Sequence, residues 1–116
     1  MIIGTGIDIV EISRIKRAIE RWGEHFLNHV FCPEEIEYAH RHKFPEQHLA
    51  VRFAAKEAVY KAIQENVPPR WKDLKILNDQ NGRPFCVYND ANFKNKILIS
   101  LSHTENYAVA SAIVTT

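Results

Sequence analysis

The sequence predicts an α+β fold in which an antiparallel-rich sheet packs against one long central helix. Two observations lead to this prediction. The middle of the chain is rich in alanine and free of glycine and proline, which is typical of a helix. The first ten residues and the C-terminal part instead carry short runs of β-branched residues. Because the 116 residues contain no repeat or linker-like segment, we expect a single domain over residues 1–116.

The overall charge and the cysteines argue against several classes of function. A formal net charge of +1 gives no support for nucleic-acid binding through bulk electrostatics. Cys32 and Cys86 are too few and too far apart for a metal knuckle, so we expect two buried free thiols in a reducing compartment. No signal peptide or long apolar span is recognisable, and we expect a cytoplasmic protein without a membrane-spanning segment.

Residues 1–10 are expected to form a strand near the centre of the sheet, because this segment is almost continuously apolar. Gly4 and Gly6 indicate the close approach of another backbone or of a ligand. Asp8 lies between two isoleucines, so its carboxylate must be paired, hydrogen-bonded or metal-bound, or must cap the helix that follows.

From Glu11 onwards the apolar residues recur at the spacing of an amphipathic helix. The predicted core face consists of Ile12, Ile15, Ile19, Trp22 and Phe26. The other faces carry a basic excess that includes Arg14, Arg17 and Arg21. Such an excess is typical of a solvated surface, but it also fits a docking site for an acidic partner.

Two further helices are predicted from prolines near their starts. The first begins at Pro33 and extends to about residue 42. The central helix begins at Pro45 and extends to about residue 65, where a pair of prolines at 68 and 69 prevents its continuation. Because the central helix is apolar nearly all the way round, we expect it to lie inside the domain.

Glu57 and Lys61 are the charged residues of the central helix that most need partners. They lie four positions apart and therefore project from one face, with the small side chains of Ala50 and Ala54 beside them. An ordinary ion pair on a helix surface is one interpretation. The alanine-rich surroundings favour another, in which the carboxylate holds a hard metal ion and the ammonium binds phosphate oxygens.

The C-terminal part predicts four strands. Residues 74–77 and 85–88 flank an Asn-Gly pair, which is the strongest short signal for a hairpin. Residues 97–103 and 107–115 form the other two strands. His103 and Thr104 stand at the end of the third strand, where ligands are often held. A serine nucleophile near His103 is disfavoured, because the glycines of a nucleophile elbow are absent.

Three motifs in this order resemble the 4′-phosphopantetheinyl transferases, in particular their small trimeric holo-[acyl-carrier-protein] synthase group. They are Gly-Ile-Asp-Ile-Val-Glu at residues 6–11, Arg-Phe-Ala-Ala-Lys-Glu-Ala followed by Lys-Ala within residues 52–62, and Ser-Leu-Ser-His-Thr at residues 100–104. The resemblance covers essentially the whole chain. It implies transfer of the phosphopantetheine arm of coenzyme A to a serine of apo acyl carrier protein, with release of adenosine 3′,5′-bisphosphate, in support of fatty acid biosynthesis.

The resemblance also implies roles for individual residues. Asp8 and Glu57 would hold a magnesium ion (Mg²⁺), Glu57 would take the serine proton directly or through a water on the metal, and Lys61 would stabilise the phosphates. The residues implied in coenzyme A binding are Arg52, Lys56, Lys61, Gly82, Arg83, Pro84, His103 and Thr104. Arg14, Arg17 and Arg21 would dock the carrier protein. The family further implies a homotrimer with its sites at subunit interfaces.

One departure from the family lies just after the middle motif, and two alternative functions stay open. Ile63-Gln64-Glu65-Asn66 stands where the family commonly has Gly-x-Gly, whose glycines let backbone approach a phosphate group. A metal-dependent hydrolase of phosphoanhydrides could use the same Asp8, Glu57 and Lys61. A module that binds coenzyme A or the carrier protein without turnover is the second alternative.

Overall fold

The computed structural model describes residues 1–64 and 68–116, and its elements confirm the predicted α+β fold. In chain order the helices and strands are β1 (Ile2–Glu11), α1 (Ile12–Trp22), α2 (Glu24–Val30), α3 (Pro33–His40), α4 (Pro45–Ile63), β2 (Leu74–Asn78), β3 (Pro84–Tyr88), β4 (Lys96–His103) and β5 (Tyr107–Thr115). A 3-10 turn (Trp71–Asp73) precedes β2. Within the described residues, no helix is long and apolar enough to cross a membrane.

The strands form two antiparallel sheets. One has the order β1-β5-β4, and the other pairs β2 with β3. The prediction that the first strand lies near the sheet centre is wrong, because β5 is the central strand and β1 lies at an edge. The apolar run of β1 instead arises because this edge strand carries apolar residues on both of its faces. Gly4 and Val10 are buried on one face, whereas Ile7 and Ile9 on the other face are exposed.

The long helix α4 packs across β1 and β5 and forms the centre of the core. Its buried residues are Leu49, Ala50, Val51, Arg52, Ala54, Ala55, Lys56, Ala58, Val59 and Ala62. The facing residues of β5 are also small, since Ala108, Ala110 and Ala112 are all buried. Small side chains on both surfaces bring the helix close to the sheet, which confirms the predicted interior position of the central helix.

Strand β1 crosses α4 at two glycines. A Cβ atom on Gly4 would lie 1.9 Å from the carbonyl oxygen of Ala62, and one on Gly6 would lie 1.9 Å from that of Ala58. No side chain fits at such distances, so both positions require glycine. This confirms the close approach expected from the sequence and identifies the approaching backbone as α4. The crossing brings Asp8 beside the helix.

The helices differ from the predictions at their ends. The first predicted helix is divided at Gly23, whose φ of 57° ends α1 and begins α2. As a result Trp22 is 54% exposed instead of lying in the core, while Ile12 and Ile15 are buried as expected. Both α3 and α4 end slightly before the predicted positions. Two residues of the Gly-x-Gly departure, Glu65 and Asn66, lie outside the described residues.

The predicted Asn-Gly hairpin is confirmed. Strands β2 and β3 pair in register from Leu74 with Tyr88 to Asn78 with Pro84. The turn is closed by Asp79, whose carboxylate accepts hydrogen bonds from the backbone N–H groups of Asn81 (2.8 Å) and Arg83 (2.9 Å). The two cysteines are free as predicted, but only Cys32 is fully buried, because Cys86 lies in this hairpin and is half-buried.

Candidate active site

Asp8 and Lys61 meet where β1 crosses α4. The Nζ atom of Lys61 donates a hydrogen bond to the carbonyl oxygen of Ile7 at 2.9 Å and lies 3.4 Å from a carboxylate oxygen of Asp8. The Asp8 side chain is mostly covered, whereas that of Lys61 is 52% exposed. The ammonium therefore bridges strand and helix but remains accessible to a ligand.

Glu57 shares this site. Burial and the negative charge of Asp8 raise the pKa of Glu57, while Lys61 and Arg14 act in the opposite direction. All four charged groups are therefore within electrostatic range of one another. The pair of carboxylates lies on two different elements, α4 and β1, and is held together by the glycine crossing.

The two carboxylates suit a hard divalent cation. They repel each other, and a magnesium ion between carboxylates takes oxygen ligands while keeping several waters. Within residues 1–64 and 68–116, no cluster of three or more His, Cys, Asp and Glu side chains could hold a metal ion. Asp8 and Glu57 could serve as two carboxylate ligands, and water and substrate oxygens would complete the coordination of a cation bound there.

A cavity of about 610 Å³ opens beside Glu57. Its lining consists of Lys56, Glu57, Tyr60, Pro68, Pro69, Arg70, Trp71 and Leu74. The ring of Trp71 stacks on that of Phe53, with 5.1 Å between the ring centroids and 23° between their planes. A largely apolar cavity with a carboxylate at its edge can hold an elongated substrate whose reactive group lies near that carboxylate.

Lys56 differs from the expectation that its ammonium faces a substrate phosphate. The side chain is fully buried, and its Nζ donates to Glu35 Oε1 (2.7 Å) and to the carbonyl oxygens of Val30 (2.8 Å) and Trp71 (3.1 Å). These contacts use all three N–H donors of the ammonium. In this chain Lys56 therefore holds the cavity wall at Trp71 and has no donor left for a phosphate.

Glu35, the partner of Lys56, is a residue that the sequence analysis missed. Its carboxylate also accepts hydrogen bonds from the backbone N–H groups of Cys32 (2.8 Å) and Ile76 (3.0 Å). It therefore joins the start of α3 to strand β2 and to α4. The sequence signal was a glutamate at the third position of a helix, where a side chain can bond back to the cap.

Arg52 lies on a different face of α4, about 140° around the helix axis from Glu57. The side chain is almost wholly buried, and this burial lowers its pKa. It donates to the side-chain oxygen of Asn78 and packs over the ring of Tyr38. Within one chain, Arg52 and the Glu57–Lys61 pair thus face different directions.

The site residues predicted at the hairpin tip and at the end of β4 lie on the side of α4 that carries Arg52, or at the protein surface. Asn78, which accepts from Arg52, also donates to the carbonyl oxygen of Gly82 at 3.1 Å and so links Arg52 to the hairpin tip. Arg83 is exposed at that tip, and Pro84 begins β3. The hydroxyl of Thr104 accepts from the N–H groups of Asn106 and Tyr107 and shapes the β4–β5 turn.

The three arginines of α1 are exposed. Arg21 lies over the ring of Trp22, with 4.8 Å from its guanidinium carbon to the ring centroid. Arg17 and Arg21 border one surface concavity, and Arg14 and Arg17 border another. Arg14 also lowers the pKa of Glu57, so its charge acts on the carboxylate site.

Two carboxylates and a lysine beside an apolar cavity suit phosphoryl transfer, and comparison with known proteins shows the class to which the chain belongs. Residues 4–112 match the 4'-phosphopantetheinyl transferase superfamily, so the chain belongs to this superfamily. The holo-[acyl-carrier-protein] synthase of Thermodesulfovibrio yellowstonii is 45% identical over 115 residues, which cover 99% of this chain and 100% of that protein. The resemblance expected from the three motifs is confirmed.

Solved structures give the same result. The holo-[acyl-carrier-protein] synthase of Neisseria meningitidis superposes with a TM-score of 0.89 at 29% identity, covering 100% of both chains. That of Helicobacter pylori, solved in complex with coenzyme A, superposes with a TM-score of 0.84 at 30% identity and covers 96% of this chain and 99% of the other. The similarity thus extends over nearly the whole fold.

Proposed function

We propose that this chain transfers the 4′-phosphopantetheine group of coenzyme A to a serine of apo acyl carrier protein, releasing adenosine 3′,5′-bisphosphate in support of fatty acid biosynthesis. The observation that carries the proposal is the meeting of Asp8, Glu57 and Lys61 beside an apolar cavity in a chain of this superfamily. A cation, two carboxylates and room for an elongated arm are what transfer of a phosphate-linked arm requires.

Asp8 and Glu57 would hold a magnesium ion, which when bound neutralises negative charge on the pyrophosphate oxygens. Lys61 donates to the same group of oxygens, since its exposed ammonium can leave Asp8 for a phosphate at little cost. Glu57 accepts the proton of the carrier serine. Burial and the charge of Asp8 raise the pKa of Glu57 in the metal-free protein, and a cation bound between the carboxylates would lower it again.

The substrate would be held at two places. The pantetheine arm fits the apolar cavity between Tyr60 and Trp71, where the walls exclude water from the reacting phosphate. Arg52, His103 and the Gly82–Pro84 turn would hold the nucleotide end, with Thr104 shaping the loop beside them. Lys56 would act on this substrate indirectly, by fixing the cavity wall.

Arg14, Arg17 and Arg21 would dock the carrier protein. Their guanidinium groups are exposed on one helix, and the charge of Arg14 acts on Glu57. An acidic partner bound there would bring its serine towards the carboxylate. Electrostatic attraction of this kind mainly raises the rate of encounter.

The protein would act as a cytoplasmic homotrimer. The outer face of the three-stranded sheet carries exposed apolar residues, among them Ile7, Ile9 and Leu98. The opposed directions of Arg52 and Glu57 on α4 favour a shared site, because the nucleotide groups of one subunit can then face the carboxylates of the next. Size-exclusion chromatography with light scattering tests the assembly, and Ile9→Glu is expected to yield monomers where Lys94→Glu does not.

Intact-mass measurement of an apo acyl carrier protein tests the transferase directly. The carrier is incubated with the protein, coenzyme A and magnesium, and a phosphopantetheine-sized gain is expected. Glu57→Gln or removal of the metal should abolish this gain, whereas Glu24→Gln, an exposed glutamate on α2, should not. Free phosphopantetheine formed without a carrier would favour the hydrolase. Coenzyme A binding without any product would favour the binding module.

Metal binding has a test that is independent of activity. Magnesium is expected to raise the thermal unfolding temperature of the wild type, because it binds the folded state and relieves the repulsion between Asp8 and Glu57. The same titration of Glu57→Gln should give a much smaller rise. An equal rise in both proteins would contradict the assignment of Glu57 as a metal ligand.

A further inference from the structure

A cluster built on Arg52 lies where α3, α4, β2 and β4 meet. The Arg52 side chain is 3% exposed. Its guanidinium carbon lies 4.2 Å from the centroid of the Tyr38 ring, and its terminal nitrogens donate to the His48 carbonyl oxygen and the Asn78 side chain. The Nε atom is buried and has no hydrogen-bond partner in the part of the chain that the structure describes. Arg52 is therefore incompletely satisfied.

Three imidazoles extend this cluster. The rings of His42 and His48 lie 4.0 Å apart between centroids, and those of His48 and His103 lie 6.4 Å apart. Nδ1 of His42 is 2.7 Å from the carbonyl oxygen of Tyr38. Because a carbonyl oxygen can only accept a hydrogen bond, Nδ1 of His42 carries the hydrogen and donates it.

No carboxylate is paired with this cluster among the described residues. Tyr38 and His42 face it from α3 and the turn after α3, His48 and Arg52 from α4, and His103 from the end of β4. Strand β2 contributes only the neutral amide of Asn78. Glu35 acts on Arg52 from further away, but its carboxylate is already bonded to Lys56. A buried cation without a counter-ion is costly, and a bound anion would satisfy it.

We propose that His42 and His48 belong to an anion site built on Arg52 and His103, and that binding of a substrate phosphate there is coupled to proton uptake by the imidazoles. The coupling rests on the proposed function, which supplies coenzyme A as the ligand that carries the phosphate. His42 and His48 thereby become binding residues in addition to those that the motifs indicate.

The direction of the coupling follows from charge. Burial, together with the charges of His42, Arg52 and His103, lowers the pKa of His48 to about 4, so His48 is neutral in the free protein at neutral pH. A phosphate group placed among these rings makes the local potential negative and favours their protonated forms. The imidazoles therefore take up protons from the solvent when the phosphate binds. Affinity for the phosphate should fall as pH rises and the imidazoles hold their protons less readily.

Isothermal titration calorimetry with coenzyme A, in buffers of different ionisation enthalpy between about pH 6 and pH 8, measures this uptake. Uptake of about one proton is expected, so the Kd for coenzyme A should weaken by up to about tenfold per pH unit. The double variant His42→Gln/His48→Gln should lose most of the uptake and of the pH dependence. His29→Gln, which changes an exposed histidine on α2, should keep both.

Two results would overturn the coupling. One is binding of coenzyme A without proton uptake, and the other is equal uptake in the wild type and the double variant. In either case intact-mass transfer could still succeed, so the proposed function would stand. Failure of the folded wild type to bind coenzyme A would overturn the coupling and the proposed function together.

Dephospho-coenzyme A, which keeps the pyrophosphate but lacks the 3′-phosphate, identifies the phosphate that the cluster holds. Loss of proton uptake with this ligand would support the cluster as the site of the 3′-phosphate monoester. Unchanged uptake would support the cluster as the site of the pyrophosphate. In both outcomes the double variant remains the test of His42 and His48.

Discussion

A Cβ atom on Gly6 would lie 1.9 Å from the carbonyl oxygen of Ala58, so β1 and α4 touch backbone to backbone. Two positions further along β1, Asp8 accepts from Lys61, which lies one turn beyond Ala58 on the helix. The geometry of the candidate active site therefore depends on the absence of a side chain at Gly6. The crossing thus determines both how closely β1 packs on α4 and where Asp8 lies relative to Lys61.

Gly6→Ala is expected to destabilise the fold by about 3 kcal/mol, because strand and helix must separate to admit the methyl group. The displacement should also move Asp8 from Lys61 and weaken metal binding. Urea unfolding and a magnesium titration measure the two effects. Thr5→Ala, at an exposed neighbouring position, is the control. A Gly6→Ala protein as stable as that control would contradict the close crossing.

Gln64→Gly is expected to stabilise the fold by about 1 kcal/mol. Gln64 follows α4 with φ 55° and ψ 41°, a left-handed conformation that is costly for residues with a Cβ atom. Chemical denaturation measures the gain. Gln64→Ala keeps the Cβ atom and should show no such gain, which separates backbone strain from loss of the side chain. Equal effects of the two substitutions would argue against strain at this position.

Lys56→Met is expected to destabilise the fold by about 3 to 5 kcal/mol, because it leaves the Glu35 carboxylate charged and buried without its partner. The double variant Lys56→Met/Glu35→Gln, which removes the charge but keeps an acceptor for the N–H groups of Cys32 and Ile76, should recover part of this loss. The matched control is Lys75→Met, since Lys75 also lies 2.7 Å from a glutamate, Glu34, but at the surface. Similar losses for the two lysines in urea unfolding would contradict the buried role of Lys56.

Glu57→Gln is expected to raise the thermal stability at neutral pH while removing activity. Since the folded-state pKa of Glu57 is raised, its protonated form favours folding below the unfolded pKa, and this contribution is lost as pH rises through the folded pKa. The gain of Glu57→Gln over the wild type should therefore shrink below about pH 4. Thermal unfolding without divalent cations measures this difference, with Glu24→Gln as control. A variant less stable than the wild type at neutral pH would contradict the prediction.

Arg17→Glu is expected to raise the KM for the carrier protein by about tenfold and to weaken its dependence on salt, because a docking charge is reversed. Arg14→Glu should add a second effect. Removing Arg14 raises the pKa of Glu57 further, so the acid limb of the pH profile should move to higher pH. Steady-state kinetics with Lys94→Glu as control measures both. Unchanged carrier KM values in the α1 variants would place docking elsewhere.

Much of the fold could be predicted because the local signals were strong. The alanine-rich composition of residues 52–62 indicated a buried helix, and the Asn-Gly pair at 81 and 82 indicated a hairpin. Two other predictions failed for lack of a local signal. Apolar periodicity continues from α1 into α2, so the left-handed Gly23 was overlooked. The apolar run of β1 could not tell a central strand from an edge strand with one exposed apolar face.

The candidate site was predicted in part. The sequence by itself determined the residue types, and it indicated the superfamily through the resemblance of the motifs that contain Asp8, Glu57 and Lys61. Only the tertiary structure decided which charges reach a ligand. Lys56 and Glu57 are adjacent in the chain, yet one ammonium is enclosed by Glu35 and two carbonyl oxygens, whereas the next carboxylate borders a cavity.

The physical reason is that burial and pairing depend on contacts between residues distant in the chain. Glu35 on α3 reaches Lys56 on α4, and His103 joins the imidazoles of His42 and His48 only when β4 packs beside α4. Periodicity assigns a side chain to a face of its own element, but it does not say what lies opposite. That opposite surface decides whether a charge serves the fold or remains available to a substrate.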